Sequence, residues 1–126
     1  LVHSTGGAAA LAGAMILGPR LGRFTKKGEA APLKPFAASS IPLVTLGVFV
    51  LWLGWFGFNG GSQLAMGTAD DAIAVSKIFI NTLLAGAGGV MAAGAVTRLS
   101  GKTDVVQMLN GCIGGLVAFT AEPLMP

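Results

Sequence analysis

The sequence predicts an all-α fold, a polytopic transmembrane helix bundle, and three observations carry that prediction. Of its 126 residues 53% are hydrophobic and only 10% are charged, with a mean hydropathy of +0.77, whereas a soluble domain carries roughly 25% charged residues. The apolar residues gather into four segments, Val2 to Gly18, Ile41 to Ser62, Ile73 to Leu99 and Val105 to Thr120, each approaching or exceeding the roughly 20 residues that cross a bilayer. Seven of the eight basic residues fall in two of the three connections: Arg20, Arg23, Lys26, Lys27 and Lys34 between the first and second segments, Arg98 and Lys102 between the third and fourth. Loops rich in Lys and Arg stay on the cytoplasmic side. The first and third spans are therefore expected to run inward and the second and fourth outward, with Asp70, Asp71 and Glu122 on the outer face.

The first segment starts at residue one without a Met, and the last ends at Met125 and Pro126 without a polar tail. The chain reads as a fragment of a larger membrane protein; a short four-helix protein is the alternative. No basic region precedes Val2 to Gly18 and no cleavage site leads into a soluble domain, so a secretory signal is a poor explanation. Gly18 and Pro19 are expected to end the first helix, one as a flexible C-terminal residue and the other because it cannot continue the ladder. Residues 19–40, with their basic side chains and Pro32 and Pro35, read as a solvated cytoplasmic loop. Ser39 or Ser40, followed by Pro42, supplies the start of the second helix, and Asp104 offers a cap for the fourth.

Within the spans, small residues are abundant: Gly6 to Ala10 with Ala12 and Gly13 in the first, Ala85 to Gly89 with Ala92 to Ala95 in the third. Gly57 with Gly61, and Gly111 with Gly115, have the four-residue spacing of a helix-packing seam. Asn59, Asn81, Thr82 and Asn110 are polar groups at membrane depth and are expected to hydrogen-bond between helices, at about 1 kcal/mol each. Lys77 is expected to snorkel to the outer surface. Cys112 is the single cysteine, so no internal disulfide can form, and it reads as a packing residue. The net charge of +3 is accounted for by the basic loops, without recourse to nucleic acid.

The stretch GWFGFNGGS, Gly54 to Ser62, places three aromatic residues, an Asn, a Ser and four glycines inside an otherwise lipid-soluble span. On a helix Trp55, Phe58 and Ser62 fall at i, i+3 and i+7, so that an indole, a phenyl ring and a hydroxyl share one stripe. The ring faces can attract a cation by about 0.5–2 kcal/mol, more when water is removed; the alternative is ordinary helix packing, which is also the reading for Trp52. Ser62 can accept a hydrogen bond from a solute at the outer mouth, or be an ordinary helix-end hydroxyl. His3 is the only histidine and lies on an apolar helix. An ionisable group inside a membrane points to function, and low dielectric favours the neutral imidazole, with one donor and one acceptor nitrogen; an interfacial position is the alternative. There is no HExxH, no CxxC pair, no GxxxxGK and no second histidine. The sequence thus lacks the residues of a metal site, a phosphate loop or a catalytic triad.

VHSTGG at Val2 to Gly7, GWFGFNGGS at Gly54 to Ser62, INT at Ile80 to Thr82 and LNGCIGGLVAFTA at Leu109 to Ala121, in this order and spacing, resemble the ammonium transporter (Amt) family. The resemblance covers essentially the whole chain and is similar to spans five to eight of that family's eleven-helix fold; GWFGFN favours the Amt branch over the related Rh proteins. By resemblance, His3 corresponds to the first of twin pore histidines, Trp55 to a pore-facing tryptophan, Phe58 to a phenylalanine of the stacked gate and Ser62 to the hydroxyl that recruits ammonium. The implied activity is transport of ammonium or ammonia, not enzyme catalysis. Ammonium is recruited and deprotonated at an outer vestibule, and ammonia then crosses a hydrophobic pore, with no cofactor. The alternative is an ammonium sensor coupled to a signalling module. A third reading, a short membrane scaffold, predicts that His3 and Ser62 can be changed freely. The implied partners are the lipid bilayer of the plasma membrane, two further copies in a homotrimer, and a PII-type regulatory protein on the cytoplasmic face. The second histidine, the vestibule tryptophan and the second gate phenylalanine belong to spans outside the four matched. The ending TAEPLMP departs from the family's usual form.

Overall fold

The computed structural model describes residues 2–20 and 38–124, and among these every regular element is an α-helix: α1 (Val2–Leu17), α2 (Ile41–Gly61), α3 (Ala69–Leu99) and α4 (Val105–Thr120). The chain divides into two units, Leu1–Ala37 and Ala38–Pro126. Arg23, Lys26, Lys27 and Lys34, with Pro32 and Pro35, lie outside the described residues, and with them most of the expected loop.

In the first unit α1 ends where the sequence places the break. Gly18 takes φ +68°, a left-handed conformation that glycine adopts freely, and its N–H donates to the Ala14 carbonyl at 3.0 Å. None of the α1 residues is buried.

The second unit begins at Ser40, whose Oγ accepts from the Leu43 N–H at 3.4 Å, with Pro42 inside the first turn of α2. Pro is tolerated there because the first N–H groups of a helix have no partner within it. After α2 the chain reverses through Leu64, held at φ 59° with its N–H donating to the Gly61 carbonyl. α3 begins at Ala69 rather than at the apolar boundary Ile73, and a capping box explains the extra turn. Thr68 Oγ1 accepts from the Asp71 N–H at 3.2 Å, while Asp71 Oδ2 accepts from the Thr68 N–H at 3.0 Å and from its hydroxyl at 2.7 Å. These bonds, the side-chain one foremost, hold the Asp71 carboxyl below the ordinary carboxylate range. Thr68→Ala is expected to lower stability by about 1 kcal/mol through loss of the cap, measured as thermal unfolding of the purified full-length protein in detergent. α4 starts at Asp104, whose Oδ1 accepts from the Val106 and Gln107 N–H groups at 2.9 and 3.1 Å.

The three helices of this unit alternate in direction. Contacts between α2 and α3 pair Trp52 with Gly86, Asn59 with Thr82 and Gly60 with Phe79. Those between α3 and α4 pair Ala85 with Gly115, Gly94 with Met108 and Thr97 with Asp104. In both sets one number rises as the other falls, so α3 is antiparallel to its neighbours. α2 and α4 run the same way, Trp55 reaching Thr120. Ser62, Asp70, Asp71 and Glu122 consequently share one end of the unit, and Arg98 and Lys102 the other.

α3 and α4 form the most extensively packed pair, with α2 resting more lightly on both. Their seam is backbone against backbone: a Cβ built on Gly115 would strike the Ala85 carbonyl, and one on Gly111 would lie 2.5 Å from both the Ala93 Cβ and the Gly89 oxygen. Gly57 and Gly61 have the same spacing but no such neighbour among the described residues; on that helix it is Gly60 that meets Phe79, and Gly86 of α3 that receives the Trp52 indole. Val48, Cys112 and Leu116 are buried at the centre, with Trp52, Trp55, Val90, Leu109 and Ile113 packed on them.

Length and composition suit α2 and α3 to a membrane crossing, while α1 and α4, at 16 residues each, are shorter apolar helices. Only 6% and 17% of the most apolar windows of α2 and α3 are buried. That separates them from the core helices of a soluble protein, whose apolar residues face inward.

Candidate functional site

The outer stripe of α2 keeps the geometry its spacing implies. Trp55 and Phe58 meet edge to face, ring centroids 6.0 Å apart and planes at 64°, an arrangement aromatic quadrupoles favour. Phe58 is 48% exposed. Ser62 caps α2 in a right-handed helical conformation (φ −68°, ψ −12°), which carries the stripe to its seventh position. Its Oγ donates to the Phe58 carbonyl at 2.7 Å. With its hydrogen committed, the exposed hydroxyl oxygen offers lone pairs outward. The end of α2 therefore presents two ring systems and an acceptor, with the first-turn carboxylates of α3 at the same end.

Trp55 is half-buried and takes part in the packing of the unit. Its ring packs on the core around Leu116, and its Nε1 donates to Thr120 Oγ1 at 2.8 Å. Thr120 in turn donates to the Leu116 carbonyl at 2.7 Å. Thr120 was no part of the site expected from sequence: it stands 65 residues from Trp55, and no local pattern connects them.

One step round the helix from Phe58, Asn59 is 1% exposed and donates from Nδ2 to Thr82 Oγ1 at 3.0 Å, and Thr82, fully buried, donates to the Ile78 carbonyl at 2.7 Å. This is the interhelical bond expected for both residues. Asn81 reaches the segment that follows α4, Nδ2 donating to the Pro123 carbonyl at 3.3 Å. Asn110 is exposed on α4, with no such bond among the described residues. Lys77 is exposed on the third turn of α3. Two buried polar atoms in the unit have no partner among the described residues, Asn59 Oδ1 and Trp52 Nε1.

His3 lies in the first turn of α1, exposed, in the other unit. The structure thus brings together Trp55, Phe58 and Ser62 and adds Thr120 to them; His3 stands with α1. Among the described residues no group of His, Cys, Asp or Glu side chains is arranged to hold a metal ion.

The model of the Ammonium Transporter Family matches residues 1–124. The chain is 43% identical over 122 residues to ammonium transporter Amt2 of Archaeoglobus fulgidus, covering 96% of this chain and 25% of that protein. It is 42% identical over 130 residues to ammonium transporter 1 member 3 of Oryza sativa subsp. japonica, covering 96% and 26%. With ammonium transporter 1 member 1 of Arabidopsis thaliana it shares 42% identity over 128 residues, covering 95% and 25%. The chain spans about a quarter of the length of these relatives. No solved structure matches it.

Proposed function

The chain belongs to the ammonium transporter family, and from that premise we propose that it supplies one wall of a route by which ammonium is recruited at an outer vestibule and crosses the membrane as ammonia. The observation that carries this reading is the stripe at the end of α2. There an edge-to-face pair of rings and an outward-facing hydroxyl oxygen stand together on an apolar, mostly exposed helix.

Each part has a physical task. Ring faces attract a cation by about 0.5–2 kcal/mol, the more so as water is stripped away. The Ser62 oxygen replaces one hydration contact by accepting from an ammonium N–H. The carboxylates of Asp70 and Asp71 make that end electronegative and raise the local concentration of cations. Moving a bare cation through hydrocarbon would cost far more than moving the neutral base, so the proton leaves before the deep part of the route. His3, whose imidazole carries two ring nitrogens, is the group this reading assigns to that part. The end of the unit bearing Arg98 and Lys102 faces the cytoplasm by the charge rule. The same reading includes assembly as a homotrimer in the plasma membrane and docking of a PII-type regulator on the basic face.

The test is methylammonium entry into cells that lack their own ammonium uptake and express the full-length protein containing this chain. Phe58→Ala is expected to reduce entry about tenfold, the equivalent of roughly 1.4 kcal/mol of lost cation stabilisation, and His3→Ala to reduce it comparably or more. Absence of uptake by the unaltered protein overturns the transport reading and leaves the sensor, which would use the same residues with little flux. Undiminished uptake by both variants keeps transport but overturns the site.

A further inference from the structure

The Trp55 indole is held by a hydrogen bond that can run in one direction only. An indole N–H donates and cannot accept. The acceptor, Thr120 Oγ1 at 2.8 Å, has already given its own hydrogen to the Leu116 carbonyl at 2.7 Å, so it faces Trp55 with lone pairs alone. The acceptor is itself fixed. The segment after Thr120 is tied to α3 through Asn81 and the Pro123 carbonyl, and to α4 through the Glu122 N–H and the Phe119 carbonyl. Neither end of the bond depends on a loose side chain.

We infer that Thr120 is a positioning residue for the cation route, fixing the Trp55 indole so that its π surface, and not its N–H, is offered to the solute. The inference rests on the proposed function and deepens it by naming what sets the chemistry of that wall. With its one polar hydrogen engaged, Trp55 has nothing left to donate. What it can give a passing molecule is the negative face of the ring, which suits a cation and gives no hydrogen bond to an anion. An indole turned with its N–H outward would set donor against donor in front of ammonium and would serve hydrogen-bond acceptors instead. The same indole meets Phe58 edge to face with ring centroids 6.0 Å apart, so the bond to Thr120 also fixes one member of that pair.

The experiment uses the full-length protein in cells without ammonium uptake, with Thr120→Val and Thr120→Ser made in both the natural and the Trp55→Phe backgrounds. The concentration dependence of methylammonium entry is measured, normalised to protein in the membrane. Val has the shape of Thr without the acceptor and is expected to raise the half-saturating concentration about tenfold, the effect of a buried donor left without its partner. Ser restores the acceptor and is expected to stay within about twofold of the natural protein. In the Trp55→Phe background, where there is no N–H to hold, Thr120→Val is expected to add nothing. A Val variant equal to the natural protein overturns the inference while leaving the transport reading intact. So does a Val defect that persists undiminished with Phe at position 55, which marks Thr120 as packing only. Lack of entry through the unaltered protein overturns both.

Discussion

Gly115→Leu is expected to keep α3 and α4 from closing, and to leave little folded full-length protein when detergent extracts are examined by gel filtration and thermal melting. Any Cβ at this position points at the Ala85 carbonyl, and the neighbouring approaches, Gly111 to Ala93 and Gly89 to the Gly111 carbonyl, are as close. Overpacking a core by a few carbons costs about 1–3 kcal/mol when side chains can shift. Here the obstacle is backbone on both helices, which has no rotamer to turn to, so the helices themselves must separate along the seam that holds Cys112 and Leu116 in the core. Between membrane helices no hydrophobic driving force offsets that loss, because lipid tails are as apolar as the helix faces. A Gly115→Leu protein that melts with the natural one would show that the seam does not hold the unit together.

Thr82→Val is the second large effect expected. The substitution preserves shape and removes the Thr82 hydroxyl that accepts from the Asn59 amide nitrogen, at a site where Asn59 is 1% and Thr82 0% exposed. A buried donor left unsatisfied costs about 1–3 kcal/mol, whereas replacing both partners by apolar groups can be nearly neutral. Among the described residues the Asn59 oxygen already has no partner, so the single variant strands both polar atoms of one side chain there. Adding Asn59→Leu to Thr82→Val is therefore expected to recover much of the lost melting temperature. A double variant no more stable than Thr82→Val would mean that the bond is not what the two residues contribute.

The fold was legible where its determinants are local. Ser40, Asp104 and Gly18 act within a turn of where they stand in the chain, and each caps or ends the helix assigned to it. The start of α3 was displaced because hydropathy sees Asp70 and Asp71 as loop, whereas the helix sees them as a negatively charged first turn; Thr68 with Asp71 was the overlooked signal. Gly111 with Gly115 and Gly57 with Gly61 have the same spacing, but only the first pair meets another backbone among the described residues. Spacing tells which faces can approach and leaves the partner to tertiary structure.

The candidate site divides in the same way. Trp55, Phe58 and Ser62 were found because helical periodicity puts them on one stripe, and two of the three interactions within it lie inside a single turn. The acceptor that fixes Trp55 comes from α4, at the far end of two reversals of the chain. Asn59 and Thr82 could be named as interhelical candidates from their depth, but that they choose each other follows only from how α2 lies along α3.

The glycine seam also bears on the reach of the shortest helix of the unit. At 16 residues α4 is about 24 Å long, short of the roughly 30 Å of hydrocarbon it would have to cross alone. α3, at 31 residues, has length to spare and precedes it by only the tight turn through Gly101. Because the two backbones meet at Gly89, Gly111 and Gly115, α4 lies directly against the longer helix, and the reach of the pair is set by α3.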